Sequence, residues 1–258
     1  MKYKKKISQP QITVIIPTYN EEKNIKNTLL AVNNQIIRIP YEIIVVDGNS
    51  NDDTLKIAKQ FSQVLLSPKK GKSYQLNYAV KKARGSIILF LDADTLVDPY
   101  FLHKIYGIFK KHKNLLACSA RFKYYNGKAI NFKIGNKHFI LTSYFFQNIF
   151  VHTWYFFKTL LGYPELSGCN IIVRKEIFLK AGGFKQPPNS LGIDKVFSDS
   201  LLYLIKKFKL GKIKTLNFVS VLTSGRHLSL ERSIKRIKQY YSQKDIYYKL
   251  ARQIMEKT

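Results

Sequence analysis

Ile87-Ile88-Leu89-Phe90-Leu91 runs directly into Asp92-Ala93-Asp94. Five consecutive apolar residues, with Gly85 before them and two acids after, read as a strand covered on both faces. The design recurs upstream. Residues 12–16 form a β-branched run that Pro17 is expected to end, and residues 42–46 and 64–66 repeat the pattern. Between these runs lie helical segments over 21–35, 53–61 and 72–83. In the first, Ile25, Leu29 and Val32 recur at i, i+4 and i+7, Asn20 occupies an N-cap position, and Glu21 and Glu22 suit the first turn. Short apolar strands alternating with helices predict an α/β domain with a mostly parallel, Rossmann-like central sheet flanked by helices.

In such sheets ligands gather beyond the carboxyl ends of the strands. Three polar clusters fall there: Thr18-Tyr19-Asn20, Asp47-Gly48-Asn49-Ser50 and Asp92-Ala93-Asp94. Two hard carboxylate oxygens at i and i+2 suit Mg²⁺ or Mn²⁺, with remaining ligands from substrate phosphates and water. Asp47 closes an apolar strand and needs a partner, for which a nucleobase N–H is one choice and a cap on the helix beginning near Asp53 another. Pro17, Thr18, Tyr19 and Glu21 line the adjacent loop, where a flat aromatic and a hydroxyl suit a base or ribose.

The 258 residues carry 44 Lys+Arg against 16 Asp+Glu, a formal net charge of +28 that predicts an anionic partner without choosing one. Two cysteines are too few for a disulfide framework, so Cys118 and Cys169 are expected as reduced thiols. The basic start is followed by no long apolar run, so no signal peptide is expected. No uninterrupted run of 18 apolar residues occurs, so no spanning helix is expected; the nearest stretch, 139–161, is broken by Gln147, Asn148, His152 and Lys158. The second half has no acid between Pro99 and Pro164 and holds more than half of the aromatics in or near that stretch. A helix over 131–161 would be apolar on most sides, and a basic C-terminal helix is expected over 226–258.

Thr13-Val14-Ile15-Ile16-Pro17-Thr18-Tyr19-Asn20-Glu21-Glu22, Ile44-Val45-Val46-Asp47-Gly48-Asn49-Ser50-Asn51-Asp52-Asp53-Thr54 and Leu89-Phe90-Leu91-Asp92-Ala93-Asp94-Thr95 resemble, in wording, order and spacing, the family 2 glycosyltransferases of the GT-A fold. The resemblance implies inverting transfer from a nucleotide-diphosphate sugar, UDP-linked ahead of GDP-linked. It implies that Asp47 reads the base and that Asp92, Ala93 and Asp94 serve ribose, diphosphate and metal. Gly71-Lys72-Ser73-Tyr74-Gln75-Leu76-Asn77 is similar to a donor-side loop in which Lys72 meets a phosphate. The family's acidic pair ahead of a helix ending in Leu-Gly-Lys or Leu-Gly-Arg matches Ser198-Asp199, with Leu210-Gly211-Lys212 closing the helix. Asp199 is therefore the expected general base, Asp194 its nearby rival, and Ser198 a departure from the first acid. Glu165-Leu166-Ser167-Gly168-Cys169-Asn170 resembles an acceptor-side segment. Gly168, Asn170 and Arg226 are expected on that side. Arg226 or His227 is also positioned to meet the diphosphate, and His227 to complete the metal shell.

The expected organisation is a basic tail over 1–10 and a glycosyltransferase domain over 11–225, followed by the basic helix. Residues 11–98 would form the nucleotide-sugar half and 99–225 a largely helical, aromatic-rich acceptor half. The expected acceptor is a glycan or lipid-linked hydroxyl, met in the cytoplasm or on the cytoplasmic face of an anionic membrane. Two other readings compete. A basic nucleic-acid-binding module would explain the charge, but the acids cluster at one site and no nucleic-acid motif occurs. A sugar nucleotidyltransferase would need a Gly-rich phosphate loop where Pro17-Thr18-Tyr19-Asn20 stands. Ser198 also leaves open a relative that has lost catalysis.

Overall fold

The computed structural model describes residues 9–125, 129–134, 137–142, 153, 157–159, 164–186 and 192–226. Along these residues run β1 (Ile12–Thr18), α1 (Ile25–Asn33), β2 (Tyr41–Asp47), α2 (Thr54–Ala58), β3 (Gln63–Leu66), α3 (Lys72–Lys82), β4 (Ile87–Leu91), β5 (Thr95–Val97) and α4 (Phe101–Lys111). Then come β6 (Leu115–Tyr125), β7 (Ala129–Ile134), β8 (Lys137–Thr142), β9 (Asn170–Arg174), α5 (Lys175–Lys180), α6 (Ile193–Phe208) and β10 (Lys212–Ser224).

Eight strands form one sheet in the order β3-β2-β1-β4-β9-β6-β10-β5. Strands β1, β2, β3, β4, β6 and β10 point one way; β9 and β5 run against them. The expected α/β architecture with a mostly parallel central sheet is the one found, with strands of both halves of the chain in the same sheet.

Side chains alternating along a strand explain the two-sided core. Ile12, Val14 and Ile16 of β1 and Leu89 and Leu91 of β4 pack on one face with Ile25 and Leu29 of α1 and Phe101 and Ile105 of α4. Ile15, Ile88 and Phe90 point the other way, onto Leu76 and Val80 of α3 and Leu201 of α6. Phe90, Phe178, Phe184 and Phe197 interlock there, with ring centroids 4.8–5.3 Å apart. Each fully buried side chain of this kind contributes about 1.5–3 kcal/mol.

Three expectations are corrected. Pro17 does not end β1: lacking an N–H, it falls beyond the last pair with β4, Ile15↔Phe90, yet still pairs with Val46 of β2. Asn20 does not cap α1, which begins at Ile25; Asn20 takes φ 54° in the loop, a left-handed conformation that asparagine tolerates. The helix over 131–161 does not begin where expected, because β7 and β8 pair antiparallel from Ala129↔Thr142 to Ile134↔Lys137. Ile130, Phe132 and Ile134 there alternate with Asn131 and Lys133, a period of two that favours a strand. Most of the stretch 139–161 lies outside the described residues, as does all of the expected C-terminal helix except Arg226. Among the described residues no helix is long and apolar enough to cross a membrane. Both cysteines are free thiols.

Candidate active site

The loops after β1 and β2 are stitched into one wall. Asp47 is fully buried and accepts hydrogen bonds from the Thr18 hydroxyl (3.0 Å), the Ser50 hydroxyl (2.6 Å) and the Ser50 N–H (2.7 Å). The Asn20 N–H donates to Ser50 Oγ (2.9 Å), and the Glu21 N–H donates to Thr54 Oγ1 (2.7 Å). Gln75 on α3 locks the base of this wall, donating to the carbonyls of Thr18 (2.8 Å) and Val46 (2.9 Å). Pro17 is buried in β1, whereas the Tyr19 ring is 50% exposed at the rim.

Asp92, Ala93 and Asp94 form a turn between β4 and β5, closed by the Thr95 N–H on the Asp92 carbonyl (3.0 Å). Ala93 is buried, and its carbonyl accepts from Thr28 Oγ1 on α1 (2.7 Å). Asp92 pairs with Lys72, the first residue of α3. Asp94 is approached by Arg226 (3.4 Å) and Thr223 Oγ1 (3.4 Å), and Arg226 also pairs with Glu21. Burial, and after it the neighbouring charge of Asp92, pushes the Asp94 carboxyl up to about 6, against the pull of Arg226. The helix start and the end of β10 thus each bring one cation to this pair of acids.

On the far side, the turn entering β9 carries Gly168. Its carbonyl lies 3.4 Å from Lys72 Nζ, and a Cβ on it would stand 2.8 Å from Asp194 Oδ2. Only a glycine lets the first turn of α6 press its carboxylate onto this segment. Ser198 completes the joint: it accepts from the Leu166 N–H (3.0 Å) and donates to the Asp194 carbonyl (2.8 Å). Burial, followed by the nearby charge of Glu165, raises the Asp194 carboxyl above its usual range, with Lys72 opposing.

Asp199 is paired instead with Lys195, one turn earlier on α6. Five residues, about 500° of helical rotation, turn it well away from the face that carries Asp194 and Ser198. Asn170 is fully buried and accepts from the Ala120 N–H (2.6 Å), bonding β9 to β6. Burial, then the charge of Asp92, pushes the Cys169 thiol up to about 12, away from the thiolate form. His227 lies outside the described residues.

The structure therefore brings together Glu21, Lys72, Asp92, Asp94, Gly168 and Arg226, with Asp194 beside them, and keeps Asp199 and Asn170 in other contacts. Sequence reasoning missed Thr223 and the Ser198 joint. It also missed Tyr125, whose hydroxyl donates to the Asp94 carbonyl (3.0 Å). Among the described residues no group of three or more His, Cys, Asp or Glu forms a metal cage. The donor set is two carboxylates at i and i+2, with Asp94 pushed toward protonation first by its burial and then by Asp92. That suits a hard divalent ion taking its other ligands from phosphate oxygens and water.

The family model described as Glycosyl transferase family 2 matches residues 13–182. Glycosyltransferase AglE of Haloferax volcanii is 35% identical over 127 residues, 46% of this chain and 42% of that protein. The chain spans less than half the length of the first curated relatives it matches. Among solved structures, a mannosyltransferase from Pyrobaculum calidifontis in complex with GDP-Man and Mn²⁺ is similar, with a TM-score of 0.62. It is 19% identical, and the match covers 91% of this chain and 63% of that one. Glucosyl-3-phosphoglycerate synthase from Mycobacterium tuberculosis, in complex with Mn²⁺, UDP and phosphoglyceric acid, gives 0.63 at 17% identity, over 93% of this chain and 79% of that one.

Proposed function

The chain belongs to glycosyl transferase family 2, and from that premise we propose that it transfers a sugar from a nucleotide-diphosphate donor to an acceptor hydroxyl with inversion at the anomeric carbon. The observation that carries this reading is the cluster of Asp92, Asp94 and Lys72 beside Asp194 at the carboxyl end of the sheet.

Asp92 and Asp94 would hold Mg²⁺ or Mn²⁺, which supplies charge neutralisation to the departing diphosphate. Lys72 and Arg226, paired with the acids when no donor is bound, are positioned to turn toward the diphosphate. Tyr19 offers its exposed ring to the base. Asp47, fully buried, acts chiefly by fixing Thr18 and Ser50, whose loops would meet a base N–H. UDP and GDP both present such an N–H, and UDP is the first choice.

Asp194 is the better general base. Its raised affinity for a proton, and its position over Gly168, favour accepting the acceptor hydroxyl's proton as that oxygen attacks the anomeric carbon. The bond from the anomeric carbon to the diphosphate oxygen breaks, and the nucleoside diphosphate leaves with its electron pair. Asp199, the base expected from the family pattern, is held by Lys195.

Thermal stabilisation of the protein by UDP and by GDP, each with and without Mn²⁺, tests the reading. Stabilisation by one diphosphate that requires Mn²⁺ and is lost in Asp94→Ala is the expected result. Equal shifts with and without Mn²⁺ in both proteins would remove the two acids from the site.

A further inference from the structure

We propose that the end of the sheet opposite the candidate active site docks onto an anionic phospholipid bilayer. At that end the six co-directional strands begin, α1, α3, α4 and α6 finish, and α5 starts. Hydrogen bonds tie its turns into one edge. The Lys212 N–H donates to the Asn114 carbonyl (2.8 Å), joining the entry of β10 to that of β6. Arg174, at the end of β9, donates to the carbonyls of Leu115 (3.0 Å) and Phe109 (2.9 Å). Lys175 donates through its N–H to the Ser86 carbonyl (2.9 Å) and through Nζ to the Ala83 carbonyl (2.6 Å).

At the ends of α3 and α4 these contacts also take over the ordinary role of basic residues at helix ends. Lysines near a helix C-terminus usually serve its free carbonyls and dipole. Here Arg174 and Lys175 perform that task for α4 and α3. Lys82, Lys111, Lys113, Lys207, Lys209 and Lys212 are exposed on the same edge, beyond what capping requires. The edge also carries two acids, Glu42, held by Arg84, and exposed Glu176 in the first turn of α5.

The lysines frame apolar side chains. Phe208 is 47% exposed and Leu179 57% exposed, and Lys180 and Lys207 lie over the Phe208 ring at 4.8 and 5.5 Å. An exposed aromatic ring between two lysines, with exposed Leu179 next to Lys180 in the chain, matches a headgroup layer: the apolar tips enter it while the long amines remain among phosphates. A nucleic acid would favour arginine forks and free stacking rings, whereas the exposed Phe208 ring here is covered by Lys180 and Lys207 and Leu179 has no ring.

Co-sedimentation of the full chain with phosphatidylcholine vesicles, with and without phosphatidylglycerol, tests this surface. The reading requires binding to the anionic vesicles that weakens as salt rises. At about fivefold per lysine, the variant carrying Lys111→Gln, Lys113→Gln, Lys209→Gln and Lys212→Gln should lose at least about 100-fold in affinity. A control with the same charge loss at the other end, Lys23→Gln, Lys26→Gln, Lys69→Gln and Lys70→Gln, should lose far less. The pair Phe208→Ala and Leu179→Ala should remove the binding that persists at high salt. Equal losses in the two lysine variants would overturn the proposal, as would unchanged binding in the first or equal binding to neutral vesicles. Binding to duplex RNA that depends on the first four lysines, without vesicle binding, would assign the face to nucleic acid instead. None of these readings depends on sugar transfer.

Discussion

Asp194 rests its carboxylate on Gly168, so closely that a single methyl group at 168 would stand 2.8 Å from Oδ2. The contact joins the first turn of α6 to the segment whose carbonyl faces Lys72, and it makes the position of one acid dependent on the smallness of one residue.

Gly168→Ala should therefore displace the Asp194 carboxylate while leaving the donor wall intact. Turnover should fall by about 10²-fold, the cost of a displacement near 1 Å in a reacting group, while UDP and Mn²⁺ stabilise the protein as before. Steady-state kinetics beside thermal shift checks both halves, and undiminished turnover would detach Asp194 from the chemistry.

Asp194→Asn and Asp199→Asn should differ sharply. The first removes the proposed proton acceptor and should lower turnover by at least about 10²-fold with donor binding retained. The second breaks the largely buried pair with Lys195 and should cost about 1.5–3 kcal/mol of stability, with little change in rate. A reversed order of effects in single-turnover assays would return the base to Asp199.

The Asp94 carboxyl binds its proton more tightly in the folded chain, near pH 6, than its ordinary value of 3.8. The folded state therefore holds the extra proton between those values. Stability of the metal-free protein falls as pH rises through that window and stays lower above it. Asp94→Asn should raise the stability of the metal-free protein at pH 7, by about 2–3 kcal/mol at most, and flatten this slope. Denaturant melts from pH 4 to 8 without metal would show it. Donor binding with Mn²⁺ should run the other way, strengthening as pH rises through about 6.

Asp47→Ala should destabilise the fold by about 2–3 kcal/mol, because the hydroxyls of Thr18 and Ser50 and the Ser50 N–H lose their acceptor. A shift in the urea midpoint measures this. A variant as stable as the parent would show that the three donors find other partners.

The strands β1, β2 and β4 were legible because long apolar runs with β-branched residues leave few alternatives. The carboxyl ends of those strands therefore marked, from sequence, the edge where the polar loops gather. Elements decided by tertiary partners were harder. Asn20 looked like a cap, yet Ser50 and Asn51 draw it into the wall between two loops. The β7–β8 hairpin was hidden in an aromatic-rich stretch where strand and helix patterns overlap. The choice between Asp194 and Asp199 depends on helical phase at the start of α6. Spacing within a motif does not carry that phase when Gly168 and Ser198 set it from outside.

The common polarity of β1, β2, β3, β4, β6 and β10 gives the molecule a fixed standoff. At ~3.3 Å per residue, a seven-residue strand such as β1 holds its two ends roughly 20 Å apart. With the lysine edge seated on headgroups, the acids face outward at that height, and the sheet becomes a gauge of acceptor length. On that proposal, a hydroxyl carried directly on a lipid head would fall short of Asp194, whereas the free tip of a longer membrane-rooted glycan would reach it.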